Sequence, residues 1–92
     1  MFQKMLQGGS GGDISSETFD GDKVFDKPYR EVYIVGTRYN TYPAIKYNDT
    51  TPTAIVTIGD SYNYESLFKV TNTKVGDSIT ITGGYGIIIA IE

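Results

Sequence analysis

The chain has 92 residues, with 8 Lys and Arg against 11 Asp and Glu, so its net charge is −3. It contains no Cys, no His and no Trp, but it has 8 Tyr. Without His or Cys, the composition excludes a Ser-His-Asp triad, a thiol nucleophile, an iron–sulfur cluster and the usual zinc sites. The acidic balance disfavours a general nucleic-acid binder, which carries a basic surface. We therefore expect a single small domain that is not an enzyme and uses no metal or other cofactor.

Membrane and targeting signals are absent from the sequence as we interpret it. No apolar run approaches the 18 residues that a transmembrane helix needs, so we expect no membrane span. The first residues also lack the long apolar core of a secretory signal peptide. Because the lack of Cys leaves the redox compartment open, the sequence predicts no particular localisation.

The chain divides into a short apolar peptide (1–7), a flexible linker (8–12) and a β-rich globular domain (13–92). The linker reads Gly-Gly-Ser-Gly-Gly. Such a run has no side chains to bury and great backbone freedom, so it behaves as a tether. It is also the composition chosen for engineered linkers. We interpret it as an engineered junction, which would make the chain a fusion of a tethered peptide with a domain.

The peptide 1–7 carries three apolar side chains that we interpret as ligand anchors. Phe2, Met5 and Leu6 are three and four residues apart, so a helix would place them on one face. Seven residues are too few to form a stable helix in water, which favours a peptide that docks on a partner surface. Two alternatives remain open, an expression tag and a native N-terminal arm that packs on its own domain.

Strand patterns dominate the rest of the chain. Residues 13–22 are predicted to form an irregular or short-strand lead-in. Runs of β-branched and aromatic residues then predict strands at 31–36, 44–47, 53–58, 64–71, 78–82 and 86–91. The glycines of 83–86 are predicted to join the last two of these strands as a hairpin. About six short strands predict an all-β fold, a small antiparallel sandwich or barrel.

The C-terminal run 86–91 is nearly all apolar, so both of its faces should be covered. An exposed edge of this composition would aggregate, so the strand must be central or lie between subunits. The expected core consists of ten apolar residues: Val32, Ile34, Ile55, Ile58, Phe68, Val70, Ile79, Ile81, Ile87 and Ile89.

Tyrosine provides the candidate binding surface. Tyr combines a large ring with a polar tip and loses little entropy on binding, so it is enriched in recognition surfaces. Arginine can stack on such rings or bind a carboxylate. Tyr also favours strands, so an ordinary structural role is the competing interpretation. The candidate residues are Tyr39, Tyr42, Tyr47, Tyr62, Tyr64 and Arg38.

Acidic residues give no comparable signal. Asp20, Asp22 and Asp26 lack the spacing and the later Glu of an EF-hand, so we interpret them as turn residues rather than a calcium site.

The sequence thus predicts a non-catalytic domain that binds a protein or peptide partner. The anchors Phe2, Met5 and Leu6 would insert into an apolar groove with tyrosines on its rim. The alternative is a structural assembly module, such as a viral decoration or fibre domain or a bacterial surface domain, that forms a homo-oligomer through its C-terminal strand. A carbohydrate-binding module is a third hypothesis, which the lack of Trp disfavours.

Overall fold

The computed structural model describes residues 13–59 and 62–92, and within them every regular element is an antiparallel β-strand. The all-β class with six strands is therefore confirmed. The peptide 1–7 and the linker 8–12 lie outside the described residues. The six strands are β1 (Ile14–Val24), β2 (Glu31–Tyr39), β3 (Ala44–Tyr47), β4 (Val56–Gly59), β5 (Asn63–Thr71) and β6 (Ser78–Ile91).

The six strands form one sheet in the order β1-β6-β2-β5-β4, with β3 also paired to β6. β6 is the centre of this sheet. It pairs with β1 on one side and with β2 and β3 on the other. Its backbone donors and acceptors are thus used on both sides, which confirms that the most apolar strand is central.

The glycine segment 83–86 bends β6 and does not reverse it. The predicted hairpin is wrong, because Ser78–Ile91 is one continuous strand. Gly83 has a φ of 75°, a left-handed conformation that a residue with a side chain rarely adopts. A Cβ on Gly84 would collide with the backbone carbonyl of Thr37. The glycines therefore allow a sharp bend and a close backbone approach within one strand, as glycines in strand interiors often do.

The lead-in at 13–22, predicted as irregular or a short strand, is a long strand, because β1 begins at Ile14 and runs for 11 residues. Its polar composition concealed it, since pairing with β6 rather than local propensity makes it a strand. The pairing shifts between Phe19, opposite Gly86, and Gly21, opposite Ile81, so the extra residues of this irregularity belong to β6. Asp22 accepts a hydrogen bond from the Thr80 hydroxyl at 2.9 Å, so this carboxylate has a structural partner.

The core lies on one face of the folded sheet. Val32, Ile34, Phe68, Ile79 and Ile81 are buried as predicted. Five further core residues were not predicted and are also buried in this cluster: Phe19, Phe25, Ile45, Ile88 and Ala90. Both halves of β6 contribute to this one cluster, which requires the sheet to fold over on itself at the bend.

Four of the predicted core residues lie elsewhere. Ile55, Ile58 and Ile87 are exposed, and Ile89 is only half-buried. In the second half of β6 the wrong set of alternate residues was assigned to the core. An unbroken apolar run does not reveal which of its two alternating sets faces the core. The expectation that both faces of this strand are covered therefore fails within the described residues.

The two ends of the molecule differ. At one end, which we call the closed end, Phe25 N donates to Asp77 O at 2.9 Å and Arg30 N donates to Ile91 O at 2.8 Å. These bonds tie the start and the finish of β6 to the β1–β2 connection. The bend of β6 therefore lies at the opposite end, which we call the bend end.

Candidate functional site

The bend end gathers four of the five predicted tyrosines. Tyr39 is the last residue of β2 and pairs with Asn63, while Asn40 N donates to Tyr62 O at 2.8 Å. Asn40 has a φ of 70°, a conformation that Asn tolerates better than most residues. The rings of Tyr39 and Tyr62 stack with centroids 6.0 Å apart and an interplanar angle of 19°. Strand pairing thus holds two exposed rings in a fixed relation.

A second aromatic pair lies at the same end of the molecule. Tyr42 and Tyr64 meet edge to face, with centroids 4.8 Å apart and planes at 76°. Tyr64 pairs across the sheet with Gly59, and a Cβ on Gly59 would collide with the Tyr64 ring and the Tyr42 hydroxyl. The missing side chain at position 59 is therefore what lets the two rings pack over the end of β4.

Arg38 lies at the bend itself. Its guanidinium occupies the space that a Cβ on Gly83 would need, and its Nη1 donates to Thr82 O at 3.4 Å. Among the residues that the structure describes, no carboxylate forms an ion pair with Arg38. The guanidinium thus keeps donors available for a carboxylate, which it can bind in a bidentate manner.

An open depression of about 380 Å³ surrounds this arginine. Besides Arg38 and Tyr39, it is lined by Thr37, Asn63, Gly83, Gly84 and Tyr85. Tyr85, which is 54% exposed, is the aromatic wall that sequence reasoning did not select. The position of Tyr85 inside the glycine segment could have indicated it as a site residue, but that segment was interpreted as a hairpin turn.

Tyr47 lies apart from the other predicted site residues. It pairs with Ile79 in β6, and its hydroxyl donates to the carboxylate of Asp77 near the closed end. Burial, followed by the hydrogen bond to Asp77, raises the pKa of Tyr47 to about 12. The same bond, with those from Lys74 N and Asn48 Nδ2, lowers the pKa of Asp77 below its ordinary value. Tyr47 therefore has a structural role, because its hydroxyl is hydrogen-bonded within the fold.

We call Arg38, Tyr39, Tyr42, Tyr62 and Tyr64 the tyrosine surface. Tyr39, Tyr62 and Tyr42 are 63%, 61% and 43% exposed, so much of their ring area is available for contact. The surface offers aromatic faces, phenol hydroxyls and one cation, which suit apolar, hydrogen-bonding and carboxylate groups of a ligand. In 13–59 and 62–92, no group of three or more acidic side chains is placed to hold a metal ion.

Comparison of the chain with family models, curated proteins and solved structures finds no match. Among the residues that the structure describes, none belongs to a helix long and apolar enough to cross a membrane.

Proposed function

We propose that the chain is a non-catalytic domain that binds a protein or peptide partner through the tyrosine surface. The observation that supports this proposal is the convergence of two aromatic pairs and an arginine from separate strands and loops on the bend end. Aromatic residues and Arg supply most of the binding free energy in protein interfaces. Their fixed placement here reduces the entropy that a partner's binding would cost.

The backbone positions of the tyrosine surface make it pre-organised. Tyr39 and Tyr64 belong to paired strands, and Arg38 lies directly opposite Tyr64 in the β2–β5 register. Side chains on paired strands are held more firmly than side chains on a long loop. A partner would therefore meet a surface that already has its binding shape.

A selection from a random peptide display library tests this proposal on the full chain. We expect enriched peptides to bind the unchanged protein and to bind the Tyr39→Ser/Tyr62→Ser variant at least about tenfold more weakly, as the loss of two aromatic contacts implies. Val75→Ser is the matched control, because Val75 is 66% exposed and lies outside the tyrosine surface. Its peptide affinities should be unchanged.

Two results would contradict the proposal. One is the absence of any enriched peptide, and the other is equal binding by the tyrosine variant and the control. A glycan array whose hits vanish in the same tyrosine variant would assign the surface to carbohydrate instead. Circular dichroism of each variant confirms that it retains the fold, so that lost binding is not mistaken for unfolding.

Self-assembly through β6 is the second proposal, and the exposure of Ile87 at 38% favours it. Both edges of β6 are paired within the sheet, so such assembly would use the strand's outer face rather than its edge. Light scattering at rising protein concentration tests it, and a strict monomer would exclude it.

A further inference from the structure

The face of the sheet that points away from the core carries a continuous apolar row. Val56 pairs with Leu67, Leu67 with Val35, and Val35 with Ile87. Directly paired residues point to the same face, so these four side chains run side by side across β4, β5, β2 and β6. Ile58 lies two residues beyond Val56 on that same face of β4. We call Val35, Val56, Ile58, Leu67 and Ile87 the apolar band.

The apolar band is only partly covered. Val56 is 47% exposed and Ile58 is 62% exposed, while Val35 and Leu67 are half-buried. A shallow groove of about 220 Å³ runs along it, lined by Val35, Val56, Ile58, Glu65, Ser66 and Leu67. Contiguous exposed apolar surface rimmed by polar groups marks an interaction site more often than isolated apolar residues do.

Charged groups border the band on both sides. On one side Lys69 Nζ lies 3.2 Å from Glu31 Oε1, so these two charges neutralise each other. On the other side stands Glu65, which accepts a hydrogen bond from Thr37 Oγ1 at 3.5 Å. Within the described residues no Lys or Arg forms an ion pair with Glu65. The rim therefore favours an occupant that is apolar and carries a positive charge near one end of the groove.

The size of the band fits a short peptide. Four strands at about 4.8 Å spacing make the band about 15 Å wide, the length of four or five extended residues. With a height of about 14 Å for two side-chain rows, its area is roughly 200 Å², well below the ~800 Å² per partner of a stable protein–protein interface. The apolar band alone is therefore too small to hold a second copy firmly.

Residues 1–7 have the composition that this groove requires. They contain Phe2, Met5 and Leu6, and their one charged side chain is Lys4, of opposite sign to Glu65. Apolar anchors flanking a lysine match an apolar groove that ends at a carboxylate.

The tether is long enough to reach the band. β1 begins at Ile14, on the strand next to β6, and Thr18 of β1 is paired with Ile87 of the band. The four residue steps from Ile14 to Thr18 span about 13 Å. The run 8–12 plus Asp13 extends to about 20 Å at most, and its glycines permit the reversal of direction that the path needs. So short a tether gives a millimolar effective concentration, which fills even a weak site.

We propose that residues 1–7 dock in cis on the apolar band, with their apolar side chains over Val56, Leu67 and Ile87 and Lys4 toward Glu65. This goes beyond the proposed binding function, because the apolar band and the tyrosine surface share no residue; the band shares Ile87 with the self-assembly proposal, from which sedimentation distinguishes it. The two sites are therefore tested by different variants and can fail independently.

The test uses the full chain with Phe2→Ser/Leu6→Ser, and Gln3→Ser/Gln7→Ser as the matched control. We expect NMR methyl signals of Val35, Val56, Leu67 and Ile87 to move in the first variant and to stay in place in the control. The melting temperature of the first variant should fall by about 4 °C or more, which corresponds to roughly 1 kcal/mol for a domain of this size. Because the substituted residues precede β1, the sheet should stay folded in both variants.

A third variant tests whether residues 1–7 contact the apolar band itself. Val56→Ser should remove most of the effect of Phe2→Ser/Leu6→Ser, because residues in contact are not additive. Unmoved methyl signals, or losses of melting temperature that simply add, would overturn the proposal. So would band signals that change with protein concentration together with a dimer in sedimentation, since the occupant would then be a second copy.

Discussion

The closed end and the bend end use tyrosine in opposite ways. At the closed end the Tyr47 hydroxyl donates to Asp77, and that carboxylate also accepts from Lys74 N and Asn48 Nδ2. At the bend end Tyr39 and Tyr62 stack on each other and leave more than half of each side chain exposed. The same residue type thus completes a hydrogen-bond network at one end and forms an open aromatic surface at the other.

The two ends show how a structural tyrosine can be distinguished from a tyrosine available for recognition. The distinction is whether its side chain already has bonding partners within the fold. A tyrosine whose hydroxyl is bonded inside the fold contributes stability, and its removal leaves a polar partner unsatisfied. A tyrosine whose ring stays largely in water contributes little to folding and keeps its area for a ligand. We expect substitutions at the two ends to divide along this line.

The largest effect is expected from the backbone of the bend end. Gly84→Ala should destabilise the protein by about 3 kcal/mol, because the new Cβ collides with the Thr37 carbonyl and neither backbone can move freely. Urea denaturation of both proteins measures the difference. Gly76→Ala is the control at the closed end, where a Cβ meets no atom within 4 Å but φ is 92°. A smaller cost for Gly84→Ala than for Gly76→Ala would show that the bend end is not rigid.

An intermediate effect is expected at Thr73, which is 3% exposed at the closed end. Its Oγ1 accepts from Tyr29 N at 2.9 Å and donates to Tyr29 O at 3.3 Å. Thr73→Val should cost about 2 kcal/mol in urea denaturation, because it leaves a backbone N–H unsatisfied. Thr73→Ser keeps the hydroxyl and should cost less. A larger loss in Thr73→Ser than in Thr73→Val, which keeps a methyl group but no hydroxyl, would show that methyl packing and not the hydrogen bond stabilises this end.

The smallest effect is expected from Tyr47→Phe, at about 1 kcal/mol near pH 7 for one partly exposed hydrogen bond. The folded-state pKa of Asp77 is lowered mainly by Tyr47, so this stability is present above the ordinary carboxyl pKa of 3.8. It is lost as pH falls through the lower folded-state value. The raised Tyr47 pKa of about 12 sets the alkaline limit. The stabilisation by this hydrogen bond is present below pH 10 and is lost as the pH rises through about 12.

Thermal melts across pH check this prediction. The difference in melting temperature between the unchanged protein and Tyr47→Phe should be largest between the ordinary carboxyl pKa of 3.8 and the ordinary tyrosine pKa of 10.0. It should shrink below pH 3.8 and above pH 10. Tyr47→Leu serves as a control that removes the ring as well. A pH-independent difference would mean that the hydroxyl–carboxylate bond contributes nothing.

Local sequence patterns predicted the strands better than their arrangement. The alternation of Val32 and Ile34 identified β2 and its buried face, because its intervening residues are more polar or more exposed. The run 86–91 identified a strand but not which of its residues face the core. Only the register with β2 places Ile88 and Ala90 inside. The length of β1 was underestimated because its strand character comes from pairing with residues more than 50 positions away in sequence.

The candidate site followed the same rule. Composition and turn residues selected Tyr39, Tyr42, Tyr62 and Tyr64 near two chain reversals, and antiparallel pairing of β2 with β5 brings those reversals together. Tyr47 could not be separated from them, because its partner Asp77 is 30 residues away. Tyr85 joins the site only through the bend of β6, which no local pattern distinguished from a turn.

The central position of β6 also orders events during synthesis of the chain. Within the described residues, β2, β5 and β4 pair with one another and need no later strand. β1 and β3 pair only with β6 apart from an isolated bridge at Tyr47, so β1 stays without a strand partner until β6 is made. The three-stranded unit of β2, β5 and β4 can therefore pair before β6 is added, and β1 enters the sheet together with β6.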